Sequence, residues 1–255
     1  MKFRAKIQDV EFHAETYNIS QLMELPECLY VTQSLKKLHL GIPCVNLWNA
    51  TGFLALKELR LHGLSSDIPQ IISPDFFSKC PALENLSFSD CRLCFLVLTI
   101  SAPMLKKLEI FNSSFDQVVV SSPLLTSFNF EGSDPINLFM DDKCMLEEVD
   151  INVKADGRDE ENKATQLLGM LKELANAKYV VVSLDTLKVL SAARNRLKSE
   201  PSPFPFLKAL KLKTDWSMTR DGWDFLLKDS ASEVETSIQL PFPLPRLTRK
   251  RFRTF

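Results

Sequence analysis

The chain has 255 residues, of which 45% are hydrophobic and 25% charged, and a formal net charge of −1, the composition of an ordinary folded protein. That balance leaves no whole-molecule field to attract nucleic acid or an anionic membrane, and no apolar run approaches the roughly 18 residues needed to span a bilayer. Charges at Lys2, Arg4, Lys6 and Asp9 break up the start, unlike the apolar stretch of a secretory leader, and seven glycines in all argue against nucleotide-binding loops.

Residues 1–30 read as an N-terminal cap segment, with Ile7, Val10 and Phe12 outlining a first strand and residues 24–30 a helical turn. The chain then repeats one pattern, apolar-x-x-apolar-x-apolar. It occurs at Leu35/Leu38/Leu40, Leu56/Leu59/Leu61, Leu83/Leu86/Phe88 and Leu105/Leu108/Ile110. It continues at Leu125/Phe128/Phe130, Leu146/Val149/Ile151, a weaker Ala177/Val180/Val182, and Leu207/Leu210/Leu212. The starts at 35, 56, 83, 105, 125 and 146 are 21, 27, 22, 20 and 21 residues apart, and the last two steps, to 177 and 207, are 31 and 30. Leucine-rich repeats recur at roughly 20–29 residues. The pattern therefore predicts an α/β leucine-rich-repeat solenoid of eight or nine repeats over residues 31–235, with a curved parallel sheet on one side and helices and turns on the convex side.

Within each repeat the last two template residues point into the core, and alternation sends their neighbours to the outer, concave face. The short spacings leave room for extended or single-turn returns. Ser73 and Pro74 are placed to cap and begin a helical turn before Cys80. Leu167, Leu171 and Leu174 predict a helix, Leu187, Leu190 and Leu197 a second, and Trp223, Leu226 and Leu227 a third. Residues 236–255, rich in proline and then basic from Arg246 to Arg253, read as a disordered tail.

Six cysteines without a leader imply reduced thiols and a cytoplasmic or nuclear protein. Cys91-Arg-Leu-Cys94 has no second cysteine pair and no histidine pair to complete a metal site, and Cys91 falls on the ladder position of its own repeat, so the motif reads as structural. His39 and His62 sit on outward positions of adjacent repeats, close enough to meet. No orienting group or oxyanion donor accompanies them, so the chain is not expected to be an enzyme, and no cofactor is expected. The residues expected to bind a partner on the concave face are Lys37, His39, Arg60, His62, Lys107, Glu109, Phe111, Glu131, Glu148 and Asp150. Among these, Glu131, Glu148 and Asp150 form an acidic patch that selects an oppositely charged partner, and Phe111 is the apolar anchor.

Several phrases carry a family resemblance. Leu25-Pro-Glu-Cys-Leu-Tyr30 followed by Ser34-Leu-Lys-Lys-Leu-His-Leu40 resembles the start of the repeat region in plant F-box/leucine-rich-repeat proteins of the FBD-associated type. So do Cys80-Pro-Ala-Leu-Glu-Asn-Leu86, Ala102-Pro-Met-Leu-Lys-Lys-Leu108 and Ser122-Pro-Leu-Leu125. The resemblance covers roughly residues 1 to 230. It implies that the repeats recognise a target protein and that cullin-type ubiquitin-ligase subunits are partners through an F-box. No F-box motif is read in this chain, so the expectation is the recognition region alone. The other reading is a stand-alone binding protein, or a competitor of a full-length F-box relative.

Overall fold

A Leu-x-Leu strand buries one row of side chains and leaves its N–H and C=O groups pointing sideways, so it is satisfied only by another copy of itself. The computed structural model describes residues 8–13, 23–31, 33–43, 45–47, 52–65, 71–141, 144–213, 220–228 and 235–239, and stacks ten such strands in parallel. In chain order they are β1 (Asp9–His13), β2 (Lys37–Gly41), β3 (Glu58–His62), β4 (Asn85–Ser89) and β5 (Lys107–Phe111). They continue as β6 (Ser127–Gly132), β7 (Glu148–Val153), β8 (Tyr179–Ser183), β9 (Ala209–Lys213) and β10 (Glu235–Gln239). Each pairs with the next, so strand order is sequence order and the sheet does not close.

The register brings equivalent template residues side by side. Leu38, Leu59, Leu86, Leu108, Phe128, Val149, Val180 and Leu210 form one buried row, and Leu40, Leu61, Phe88, Ile110, Phe130, Ile151, Val182 and Leu212 form the next. All eight first template residues, from Leu35 to Leu207, are buried too. At the start of the strands the backbone repeats one arrangement. The Lys57 and Glu58 N–H groups both donate to the Lys36 carbonyl (2.8 and 3.0 Å), those of Glu84 and Asn85 to Lys57, and so on to Lys208 and Ala209 on Lys178. This ladder fixes the stacking position by position.

The back of the solenoid follows the spacing. Where repeats are short, the return is extended, and Arg92–Ile100, Ser114–Val120 and Leu138–Met140 pair into a second parallel sheet. Where they are long, it is helical: α2 (Glu160–Glu173), α3 (Leu184–Ala192), α4 (Arg194–Ser199) and α5 (Arg220–Leu227) follow α1 (Glu27–Val31). The predicted helices are present, the second divided at Ala193, with Leu167, Leu171, Leu174, Leu187, Leu190, Leu197 and Leu226 buried. Between the walls runs a chain of aromatic rings, Tyr30, Phe53, Phe76, Phe77, Phe88 and Phe115, with successive centroids 5.1 to 6.3 Å apart. Polar side chains close the remaining gaps. The Thr186 hydroxyl donates to the Ile151 carbonyl (3.1 Å) and accepts from the Val153 N–H (2.9 Å), both out of water.

Three expectations change. The helical turn before Cys80 is present as a single 3-10 turn, Phe77–Lys79, but it does not start at Pro74, and the Ser73 hydroxyl donates to the Asp75 carboxylate instead of capping it. Among the described residues the sheet has ten strands: the eight template copies, the expected first strand β1, and β10, which the template did not foresee. The tail boundary at 236 falls inside β10, whose Thr236 and Ile238 pair with Leu210 and Leu212; residues 240–255 lie outside the described residues.

Candidate functional site

The outward residues of β2 to β9 form a continuous strip in which many charges are paired, some within one strand and some between strands. Glu58 is the hub at one end. Its carboxylate lies 2.6 Å from the Arg60 guanidinium, 3.4 Å from His39 Nε2 and 3.6 Å from Lys37 Nζ. Burial pushes the Glu58 carboxyl up, but the Arg60 and Lys37 charges, with Arg60 and His39 held close against it, outweigh it and keep the group below the usual carboxylate range. Three of the residues expected to bind a partner, Lys37, His39 and Arg60, are therefore gathered around Glu58, which was not among them. Alternation along β3 puts Glu58 on the outer face, but its role as their common counter-ion depends on β3 lying beside β2.

Beyond this hub, Glu58, Arg60, Asn85, Ser87, Lys107 and Glu109 line a polar basin of about 230 Å³. Lys107 Nζ lies 2.6 Å from Glu109, which also accepts from the Asn129 amide at 3.2 Å. The two histidines do not meet. Register pairs His39 with Arg60, leaving His62 diagonal to it, and His62 Nδ1 turns instead to the Ser89 hydroxyl (3.0 Å) and the Asp90 carboxylate (3.5 Å). Phe111 is half-buried between Ser89 and Glu131.

Glu131, Glu148 and Asp150 lie on the adjacent strands β6 and β7. Two of the three have lysine partners. Asp150 contacts Lys213 from two strands away, and Glu131 lies 3.8 Å from Lys154, which also donates to Asn112 at 3.1 Å. Glu148 is exposed and stands next to Tyr179, which is itself 47% exposed. Tyr179 was missed in the sequence, although extending the template through the weak repeat at Ala177 puts it on the outer face.

Among the described residues no group of three or more His, Cys, Asp or Glu side chains is placed to hold a metal. Cys91 is buried, donates its thiol to the Leu61 and Ser89 carbonyls (both 3.4 Å), and is pushed up to about 11 chiefly by burial. Its backbone N–H donates to the Ser113 hydroxyl at 3.0 Å, so it bridges repeats. The Cys94 side chain lies outside the described residues.

Comparison with known proteins agrees with this architecture. A family model described as the leucine-rich repeats of FBD-associated F-box protein At5g56370 matches residues 2–147. Two Arabidopsis thaliana proteins are similar. One, named as an F-box protein (At1g49610), is 26% identical over 215 residues, covering 78% of this chain and 51% of the relative. The other, F-box/LRR-repeat protein At3g03360, is 27% identical over 210 residues, covering 77% and 42%. The chain thus spans about half or less of the length of these relatives. No solved structure matches. With more than half its length matched and every template residue stacked as the repeat demands, the chain belongs to the leucine-rich-repeat family of FBD-associated F-box proteins.

Proposed function

We propose that this protein-interaction module is the target-recognition region of an F-box-type ubiquitin-ligase substrate receptor, working in the cytoplasm or nucleus. The observation that carries the reading is the outward strip itself: a rigid parallel sheet presenting Lys37, His39, Arg60, His62, Lys107, Glu109, Phe111, Glu131, Glu148 and Asp150 at strand spacing, in a chain matched to F-box-associated repeats.

Pairing within the strip favours selectivity over raw attraction. Arg60, Lys107 and Asp150 already have counter-ions, so a partner gains only where its own charges replace them, and a mismatched partner leaves charges unpaired. Phe111 and Tyr179 supply the apolar contacts on which interface energy concentrates. A cullin-type ligase would then act on whatever the strip holds.

The test is affinity purification of the tagged chain from its own host, with mass spectrometry of the eluate. Enrichment of one protein together with a cullin and its adaptor supports the ligase reading. Enrichment of a target alone makes the chain a stand-alone binder or a competitor of full-length relatives. Loss of no protein on charge reversal of the strip would remove the strip from the mechanism.

A further inference from the structure

A second surface runs along the edge where the strands begin. The residue immediately before the first template position is Met104, Leu124, Met145, Asn176 and Phe206 in five consecutive repeats. Four of these are large apolar side chains facing water, at 42, 40, 67 and 63% exposure in that order. The earlier repeats carry Ser34, Ala55 and Ala82 at the same place. The backbone ladder holds equivalent positions in line, so the exposed side chains form a row instead of isolated patches.

Asn176 interrupts the row with a short side chain and leaves a cleft of about 540 Å³. Met145 and Phe206 wall it, and Leu146 and Leu207 contribute to its lining from the core side. These walls are two strand spacings apart, about 10 Å, which admits one side chain between them. Charge at the rim is uneven. Glu147 and Lys178 pair at 3.1 Å, while Lys208 makes no ion pair among the described residues. Among the described residues that line the cleft, the one charge without an ion pair is that of Lys208.

We propose that this edge cleft docks a linear peptide of a partner protein, which inserts one aliphatic or aromatic side chain between Met145 and Phe206 and sets a carboxylate against Lys208. Charge complementarity selects this occupant. The chain's own residues 240–255 carry Arg246, Arg249, Lys250, Arg251 and Arg253 and would bring like charge to Lys208. The cleft is separate from the outward strip, so the proposal does not depend on what the strip binds.

The experiment pans the immobilised full chain against a phage library of random dodecapeptides, with parallel selection on Asn176→Trp, whose indole fills the cleft. That substitution gives up only a 3.5 Å hydrogen bond to the Cys144 carbonyl. Phe206→Ser, at an exposed position, is the second variant in case Asn176→Trp folds poorly. The expected result is clones that place Leu, Met, Phe or Trp within two residues of Asp or Glu. By fluorescence anisotropy their synthetic peptides bind at least tenfold more weakly to Asn176→Trp and to Lys208→Glu, and unchanged to Arg60→Glu on the outward strip. Peptides that bind all forms alike, peptides flanked by lysine or arginine, or no enrichment would overturn the proposal. So would a dimer in sedimentation that Asn176→Trp dissolves, since a second copy would then occupy the cleft.

Discussion

Phe76→Ala tests how the solenoid holds together. Phe76 is fully buried, with its ring centroid 6.3 Å from that of Phe53 and 5.2 Å from that of Phe77, both edge-on. Truncation to alanine removes about 100–150 Å² of apolar surface, worth about 3 kcal/mol at 25 cal/mol per Å² before any cavity cost. Measured Phe→Ala substitutions in cores cost about 3–5 kcal/mol once the cavity is included, and edge-on ring pairs contribute about 0.5–1.5 kcal/mol each beyond area. Urea unfolding followed by circular dichroism should therefore show a loss of about 3–5 kcal/mol. Location is the sharper readout. A stack in which each repeat touches only its neighbours transmits a defect poorly. Amide exchange should accelerate most in β3 and β4 and little in β8 and β9. A loss under about 1.5 kcal/mol, or equal loss of protection at both ends, would refute the reasoning.

Four further outcomes are expected. Gly52 has φ of +87° and a Cβ there would sit 2.2 Å from the Lys79 carbonyl oxygen, so Gly52→Ala should lower the thermal midpoint by several degrees. The Glu84 carboxylate lies between Lys57 (2.6 Å) and Lys106 (2.8 Å), whose hydrogen bonds and charges hold it down to about 2. Because the folded value is depressed, its contribution is present above the ordinary carboxylate value near 4.5 and is lost as pH falls toward 2, so melting curves of Glu84→Gln should be flatter than wild type across that window. Burial lifts the Cys80 and Cys91 thiols to about 11, so iodoacetamide at pH 8 should leave both unmodified until the protein unfolds, as peptide mass mapping will show. Replacing Glu148 and Asp150 together by lysine should weaken binding of the captured target at least tenfold while leaving the thermal midpoint within about 3 °C; unchanged affinity by calorimetry would exclude the acidic patch.

Sequence and structure agree best where one physical rule decides. Apolar residues at template positions must share a core, so the two stacked rows from Leu38 to Leu210 and from Leu40 to Leu212 are legible in the sequence alone. The ends were harder. An outermost strand needs fewer core side chains, and β10 puts Thr236 where the template expects leucine, so its membership depends on backbone pairing with β9. The pairing of charges was hidden for a different reason. Asp150 and Lys213 are 63 residues apart and meet across β8, so only the assembled sheet reveals them as partners. Tyr179 was within reach of the pattern and was lost because Ala177 is a poor leucine.

The two kinds of back wall have a mechanical consequence. Strands stack about 4.8 Å apart, whereas packed helices need about 8–10 Å. From β4 to β6 the front sheet is backed by strands of equal spacing, so neither wall is forced to fan out. From β7 to β9 helices widen the back, and the front must close on itself like the inner lane of a bend. If the outward strip binds its partner as proposed, that partner would have to match a level stretch beside the strand-backed repeats and a hollow beside the helix-backed ones, a demand of shape separate from any charge.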